Sequence, residues 1–241
     1  MVSRIFQYHQ LRRKTASNVY GILVQPDESF QLMSFDETII LSGDEEVFYH
    51  PTFVWTYPVP SNNWNNIPNA EFIYTPIAVG PYLVPYKNEI HLKFLKTSEM
   101  PSNSGIFYFD ADDTKWIYMD TVNDNQFFET TILSGGVFAV ISEAIPPIIN
   151  NVYPKMDSVI NSDEMVSITF NILDEFSGID GERNVSVILD DKSLIFEYNS
   201  YNKKVRYDIW NHLSEGKHQI QIEAKDNLGN KTNSTHTFTV R

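Results

Sequence analysis

Apolar and polar residues alternate with a period of two in one short segment after another between residues 144 and 241. One face of the clearest segment consists of Val166, Ile168, Phe170 and Ile172, and the other of Ser167, Thr169 and Asn171. This alternation is typical of a β-strand that buries one face and exposes the other. Helix-type spacing is almost absent, so the pattern predicts an all-β domain.

The number and spacing of these segments predict the architecture. Seven strands are expected at 148–153, 166–172, 185–189, 194–198, 205–209, 218–225 and 236–240. Turn-forming residues such as Ser177-Gly178 and Leu228-Gly229-Asn230 fall between them. Seven short strands in under about 100 residues are typical of an immunoglobulin-like antiparallel β-sandwich.

The first part of the chain, residues 1–143, is also rich in strand patterns but less regular. Strands are predicted at 20–24, 37–41, 52–57, 90–95, 106–110, 115–119, 126–132 and 136–141, with a hairpin turn at 111–114. The Pro- and Asn-rich stretch 58–85 is expected to form long surface loops. We therefore predict two tandem β-sandwiches, at 1–143 and 144–241, with a stiff junction at Pro146-Pro147.

Composition excludes several classes of function. The net charge is −13 and there is no basic stripe, which argues against nucleic-acid binding. The chain has no cysteine, so thiol catalysis and thiolate metal sites are excluded. No apolar run reaches the length of a membrane helix, and the first 15 residues lack the apolar centre of an export signal.

Several motifs in fixed order resemble the C-terminal β-sandwich region of bacterial envelope metallopeptidases of the LytM (M23) type. They lie at 35–41, 74–81, 84–85, 105–110 with Trp116, 134–140 followed by Pro146-Pro147, 174–179, 197–199, 216–218 and 226–230. The zinc site of that family uses a His-x-His pair, and none of the six histidines here forms one. The resemblance therefore implies an accessory region of a periplasmic, cell-surface or secreted protein, without the peptidase domain.

Acidic residues at strand ends raise the question of calcium. Carboxylate and amide oxygens of Asp174, Asp190, Asp226 and Asn230 could ring a calcium ion at one pole of the second sandwich. The alternative is that Asp226 and Asn230 cap their own hairpin turn. We expect the capping role, and hence no metal and no cofactor.

Two histidines and the loop tryptophan offer further candidates. His218 and His236 fall in phase with buried positions, where a core histidine is expected rather than a metal pair. Trp64 lies between Asn63 and Asn65, an arrangement that would suit stacking on a sugar ring. The alternative is that Trp64 folds back as a plug over the first sandwich. Trp55, Trp116 and Trp210 are expected in the core.

The function expected from these residues is a non-catalytic spacer or docking module with a protein or cell-envelope glycan as its partner. No nucleic acid and no membrane insertion are expected. The alternative is a carbohydrate-binding module that uses Trp64 and the neighbouring Asn and Tyr residues. An unrecognised hydrolase with paired carboxylates is a third class.

Overall fold

The computed structural model describes residues 19–60, 67–82 and 84–241. These residues form 21 β-strands and one short 3-10 helix, Gly181–Asn184, and include no α-helix. The all-β prediction is confirmed. Within these ranges, no helix is long and apolar enough to cross a membrane. Residues Asn63, Trp64 and Asn65, the predicted sugar-binding residues, lie outside the described ranges.

Twelve strands, β1–β12, build the first sandwich. They are β1 Tyr20–Val24, β2 Phe30–Met33, β3 Ile39–Gly43, β4 Thr52–Pro58, β5 Ala70–Phe72, β6 Ile77–Gly80, β7 Ile90–Leu95, β8 Ser104–Asp110, β9 Lys115–Tyr118, β10 Val122–Asn123, β11 Phe127–Ile132 and β12 Gly136–Glu143. One sheet has the order β1-β4-β6-β12-β8-β9, with β5 also paired to β12, and the facing sheet has the order β10-β11-β7-β3-β2.

The core of the first sandwich lies between these two sheets. Strand β7 shows how alternation creates it, because Ile90, Leu92 and Phe94 are fully buried while His91 and Leu95 are exposed. Full burial of one such side chain stabilises a fold by about 1.5–3 kcal/mol. The predicted hairpin of β8 and β9 is confirmed by the pairing of Asp110 with Lys115.

Nine strands, β13–β21, build the second sandwich. They are β13 Ile148–Tyr153, β14 Ser158–Ile160, β15 Ser167–Leu173, β16 Val185–Leu189, β17 Lys192–Ser193, β18 Glu197–Asn199, β19 Lys204–Asp208, β20 Gly216–Lys225 and β21 Lys231–Val240. Their sheets have the orders β13-β15-β19-β18 and β14-β21-β20-β16-β17. A separate core, which includes Phe170, Ile222 and Phe238, lies between them.

Several expectations from the sequence were wrong. The stretch 58–85 is not all surface loop, because it contains β5 and the fully buried β6, which lies between β4 and β12. Val166 is 60% exposed, since it precedes β15 instead of sharing that strand's buried face. Trp210 is not in the core: it follows β19 and is 87% exposed.

Candidate functional site: an acidic cluster at the junction of the two sandwiches

The outer face of the first sandwich meets the loops of the second. Alternation along β12 places Ala139, Ile141 and Glu143 on the face turned away from the first core. The ring of Phe107, on the neighbouring strand β8, stacks on Phe176 of the second sandwich with centroids 4.7 Å apart. Leu228 of the second sandwich joins the same buried apolar cluster. The junction therefore has a small hydrophobic core of its own.

Three carboxylates lie beside this apolar cluster. Glu143 ends β12, Asp174 follows β15 and Asp226 follows β20. One oxygen of each carboxylate lies within 4.8 Å of the other two. Glu143 and Asp226 are only 3% and 0% exposed, and Asp174 is half-buried. The cluster thus combines one residue of the first sandwich with two of the second.

The backbone holds Asp226 in a fixed orientation. Its Oδ1 accepts hydrogen bonds from the amides of Leu228 and Asn230, and its Oδ2 accepts one from the Asn230 side chain at 2.7 Å. These bonds are the turn-capping contacts expected from the sequence. The same Asn230 amide also donates to the Glu143 carbonyl at 3.1 Å, so the turn is tied to the first sandwich.

Asp174 is oriented in a similar way. Its Oδ1 accepts hydrogen bonds from the amides of Phe176 and Gly178. The loop that presents the carboxylate therefore also presents the Phe176 ring to the first sandwich. Hydrogen bonding of this kind is the usual way in which an aspartate shapes its own turn.

The electrostatics of the cluster are unfavourable for three negative charges. Burial, and then the nearby Asp174 carboxylate, raises the pKa of Glu143 to about 7. Burial also raises the pKa of Asp226. None of the ion pairs among the described residues includes a member of this cluster. When like charges share a desolvated site, binding a proton or a cation relieves their repulsion.

Two polar atoms at this site have no hydrogen-bond partner. Glu143 Oε2 and the hydroxyl of Ser177 are buried without one. Ser177 is 3% exposed, and its hydroxyl and amide lie close enough to the Glu143 carboxylate to lower its pKa in part, although the hydroxyl does not reach hydrogen-bond geometry. Because a buried polar atom without a partner costs about 1–3 kcal/mol, this arrangement calls for an explanation.

The structure divides the calcium candidates named from the sequence. Asp174, Asp226 and Asn230 lie together at the junction, whereas Asp190 lies elsewhere. Asp190 follows β16, whose last residue pairs with Ile220, while Asp226 follows the opposite end of β20. The two aspartates are therefore at opposite poles of the second sandwich. Sequence reasoning missed Glu143, although the alternation of β12 places it on the same face as Ile141.

The two histidines make separate contacts. Both ring nitrogens of His218 bond to acceptors, Nδ1 to Asp190 and Nε2 to the Ser214 carbonyl. An imidazole that donates from both nitrogens is positively charged. His236 bonds to Ser234. Neither histidine belongs to the cluster of three carboxylates at the junction.

A row of aromatic side chains lies on the outer face of the first sandwich, on strand β4, which is two strands from β12. Phe53, Trp55 and Tyr57 alternate with buried residues along β4, and Phe53 is 52% exposed. The Trp55 ring lies directly over Gly80, where a Cβ atom would come within 2.0 Å of it. Tyr82 packs edge-on against Trp55 at 5.3 Å. Trp55 is thus half-buried on a surface, not in a core.

Trp116 and the aspartates of the β8–β9 hairpin have ordinary structural roles. Trp116 is buried, as expected, in the apolar cluster on the outer face of the first sandwich. Asp110 accepts hydrogen bonds from the amides of Asp112 and Asp113 at the exposed tip of the β8–β9 hairpin. These three carboxylates form a solvated turn.

Comparisons with known proteins identify no family. No family model matches the chain, and no curated protein matches it. Among solved structures, CopC from Methylosinus trichosporium OB3b is 11% identical with a TM-score of 0.31, over 39% of this chain and 92% of CopC. Dimeric latent PorU from Porphyromonas gingivalis is 13% identical with a TM-score of 0.30, over 64% of this chain and 22% of PorU.

A third structure, the extracellular domain of the putative one component system BT4673 from B. thetaiotaomicron, is 14% identical with a TM-score of 0.29. The match covers 88% of this chain and 30% of that domain. The chain therefore spans less than a third of PorU and of the BT4673 domain. At TM-scores this low, none of the three carries functional information to this chain.

Proposed function

We propose that this chain is a non-catalytic accessory module of a bacterial envelope or secreted protein, in which two β-sandwiches held in a fixed orientation act as a spacer or docking region. The observation that carries the proposal is the packed junction. Phe176 and Leu228 of the second sandwich are part of an apolar cluster on the first.

The connection between the sandwiches is also short and anchored. Four residues, 144–147, separate β12 from β13, and two of them are proline. The carbonyl of Pro147 accepts a hydrogen bond from the Thr232 hydroxyl, and the carbonyl of Glu143 accepts one from Asn230. Sandwiches joined by flexible linkers reorient freely unless their interface is apolar and packed. This junction has a short, anchored connection and a packed apolar interface, and together they favour a rigid spacer.

Small-angle X-ray scattering tests the rigid spacer directly. We expect the scattering of the wild-type chain to fit one orientation of the sandwiches. The double variant Phe176→Ala/Leu228→Ala should need an ensemble of orientations, because both apolar contacts across the junction are lost. Tyr201→Ala, at a residue 97% exposed, is the matched control and should scatter like the wild type. A wild-type curve that itself needs an ensemble would contradict the proposal.

The place of this module in a larger protein is proposed from the motifs that resemble LytM-type peptidases. Immunoblotting of the source cells with an antibody against residues 144–241 tests it. A band well above 27.9 kDa supports an accessory region of a longer chain. A band at 27.9 kDa would mean that the two sandwiches act alone, and binding would then be their function.

Carbohydrate binding is a second candidate function, favoured by the aromatic row on β4. Exposed aromatic rings on a flat sheet face offer stacking surface for sugar rings. Affinity electrophoresis against cell-envelope glycans tests this function. Trp55→Ala should abolish any retardation, whereas Trp210→Ala, on the other sandwich, should leave it unchanged. If the wild type is not retarded by any glycan, this second function is excluded and the spacer function is unaffected.

A further inference from the structure

The acidic cluster carries more negative charge than its surroundings offset. Glu143, Asp174 and Asp226 share a site beside an apolar cluster, and no Lys, Arg or His side chain pairs with them among the described residues. Burying a charge without a partner costs several kcal/mol. The arrangement is therefore incomplete as a set of protein groups alone.

A second observation, independent of the acidic groups, points to a ligand at the same place. The Ser177 hydroxyl is 97% buried, lies next to the Glu143 carboxylate and has no hydrogen-bond partner. Glu143 Oε2 is likewise buried and unpartnered. A bound cation would use two such oxygens, one from Glu143 in the acidic cluster and one from the serine beside it.

We propose that the junction binds a calcium ion through the carboxylates of Glu143, Asp174 and Asp226. The donor set consists of oxygen atoms, without histidine or cysteine, which suits a hard cation and not zinc. The carboxylates come from three separate chain segments, two of them loops. Calcium tolerates such irregular geometry, whereas magnesium demands a near-ideal octahedron.

The distances fit this ion. Calcium binds oxygen at about 2.3–2.6 Å, so two ligands on opposite sides of the ion lie about 4.6–5.2 Å apart. The three carboxylate oxygens lie within 4.8 Å of one another, which is close enough for one such ion to contact all three. Since calcium takes six to eight oxygens, the Ser177 hydroxyl and water would complete the shell.

The consequence is a link between the two sandwiches. Glu143 belongs to the last strand of the first, and Asp174 and Asp226 belong to loops of the second. An ion at this site would join them in addition to the apolar contacts of Phe176 and Leu228. The inference does not depend on the spacer function, because the apolar junction remains whether or not the ion binds.

Thermal unfolding of the full chain, after treatment with EDTA, tests the proposal. Calcium chloride at about 100 times its dissociation constant should raise the melting temperature by about 5–10 °C. Magnesium chloride at the same concentration controls for screening of the net charge of −13 and should raise it much less. Isothermal titration with calcium should show one site per chain.

Variants distinguish calcium binding at this site from a general effect of the negative charge of the chain. Glu143→Gln keeps the shape of the side chain and should lower calcium affinity at least tenfold, as should Asp174→Asn, which serves if Glu143→Gln does not fold. Asp112→Asn removes one charge from an exposed turn and should keep the wild-type response. The proposal is overturned if calcium does not move the wild-type melting temperature, or if both cluster variants keep the full calcium shift. The first of these results would mean that a proton on Glu143 neutralises the cluster.

Discussion

Truncating Leu228 to alanine should loosen the junction without unfolding either sandwich. Leu228 is in the turn between β20 and β21 of the second sandwich, is 8% exposed, and packs against Gly105 of the first. A buried Leu→Ala change costs about 2–5 kcal/mol. Because Leu228 lies at the edge of a small cluster, we take about 2–3 kcal/mol. Since the lost contacts join the two sandwiches, the population with an open junction should rise about 30- to 150-fold.

The chain has no cysteine, so a single introduced thiol reports on the opening of the junction. Ser177→Cys places a thiol of nearly the same size at a position that is 3% exposed. In EDTA, its rate of labelling by a thiol reagent measures how often the junction opens. Adding Leu228→Ala should raise the labelling rate about 30- to 150-fold.

The matched control is Leu189→Ala, because Leu189 is 6% exposed but belongs to the core of the second sandwich. It should lower the melting temperature of that sandwich and leave the labelling rate under native conditions nearly unchanged. If Leu228→Ala does not accelerate labelling, or if Leu189→Ala accelerates it equally, the reasoning about the junction is refuted.

Three other substitutions test individual contacts. Burial by itself lowers the pKa of His218, but the Asp190 carboxylate raises it above the unfolded value of about 6.5. The pair therefore stabilises the fold below that pH, and the stabilisation is lost as pH rises through the folded pKa. Urea melts at pH 6 and pH 8 should show this loss for the wild type and should not show it for Asp190→Asn. Gly80→Ala should destabilise the first sandwich by about 1–3 kcal/mol and shift the fluorescence of Trp55, because the new Cβ would overlap the indole ring. Thr114→Asn should raise the free energy of unfolding by about 0.5–1 kcal/mol, because Thr114 has a φ of 53°, which asparagine tolerates better. The denaturant midpoint should rise accordingly, and an unchanged midpoint would contradict this.

Several strands are predicted from the sequence with the bounds that they have in the structure. The bounds predicted for the strands at 20–24, 90–95, 148–153 and 185–189 agree with the structure. In the strands at 90–95 and 185–189 every second side chain is buried, so the pattern of apolar residues is visible along the chain. Local information is then sufficient.

The pattern of apolar residues did not reveal strand β6. Strand β6 reads Ile77-Ala-Val-Gly80 and is buried on both faces, so it has no polar residue to mark its period. It also lies between prolines, which favoured the prediction of a loop. The exposed Trp210 shows the opposite error, because an aromatic residue after a strand resembles a core residue until the packing is known.

The acidic cluster depended on contacts that are distant in sequence. Glu143 comes together with Asp174 and Asp226 only because the outer face of β12 meets the loops of the second sandwich. An acidic residue at a strand end usually faces water, and composition alone does not show that Glu143 is buried. The alternation Ala139, Ile141, Glu143 was the available signal, but it required knowing that this outer face is covered.

The hairpin of β20 and β21 determines how the second sandwich would carry a pulling force. Its turn touches the first sandwich at Glu143, and β21 runs ten residues from there to Val240 at the opposite pole. Strand β21 pairs with β20 on one side and, in parallel, with β14 on the other. A pull between Arg241 and the first sandwich therefore acts along β21, across hydrogen bonds that run perpendicular to the strand. Such a load shears many bonds at once and does not peel them singly, so β21 should resist extraction along its length.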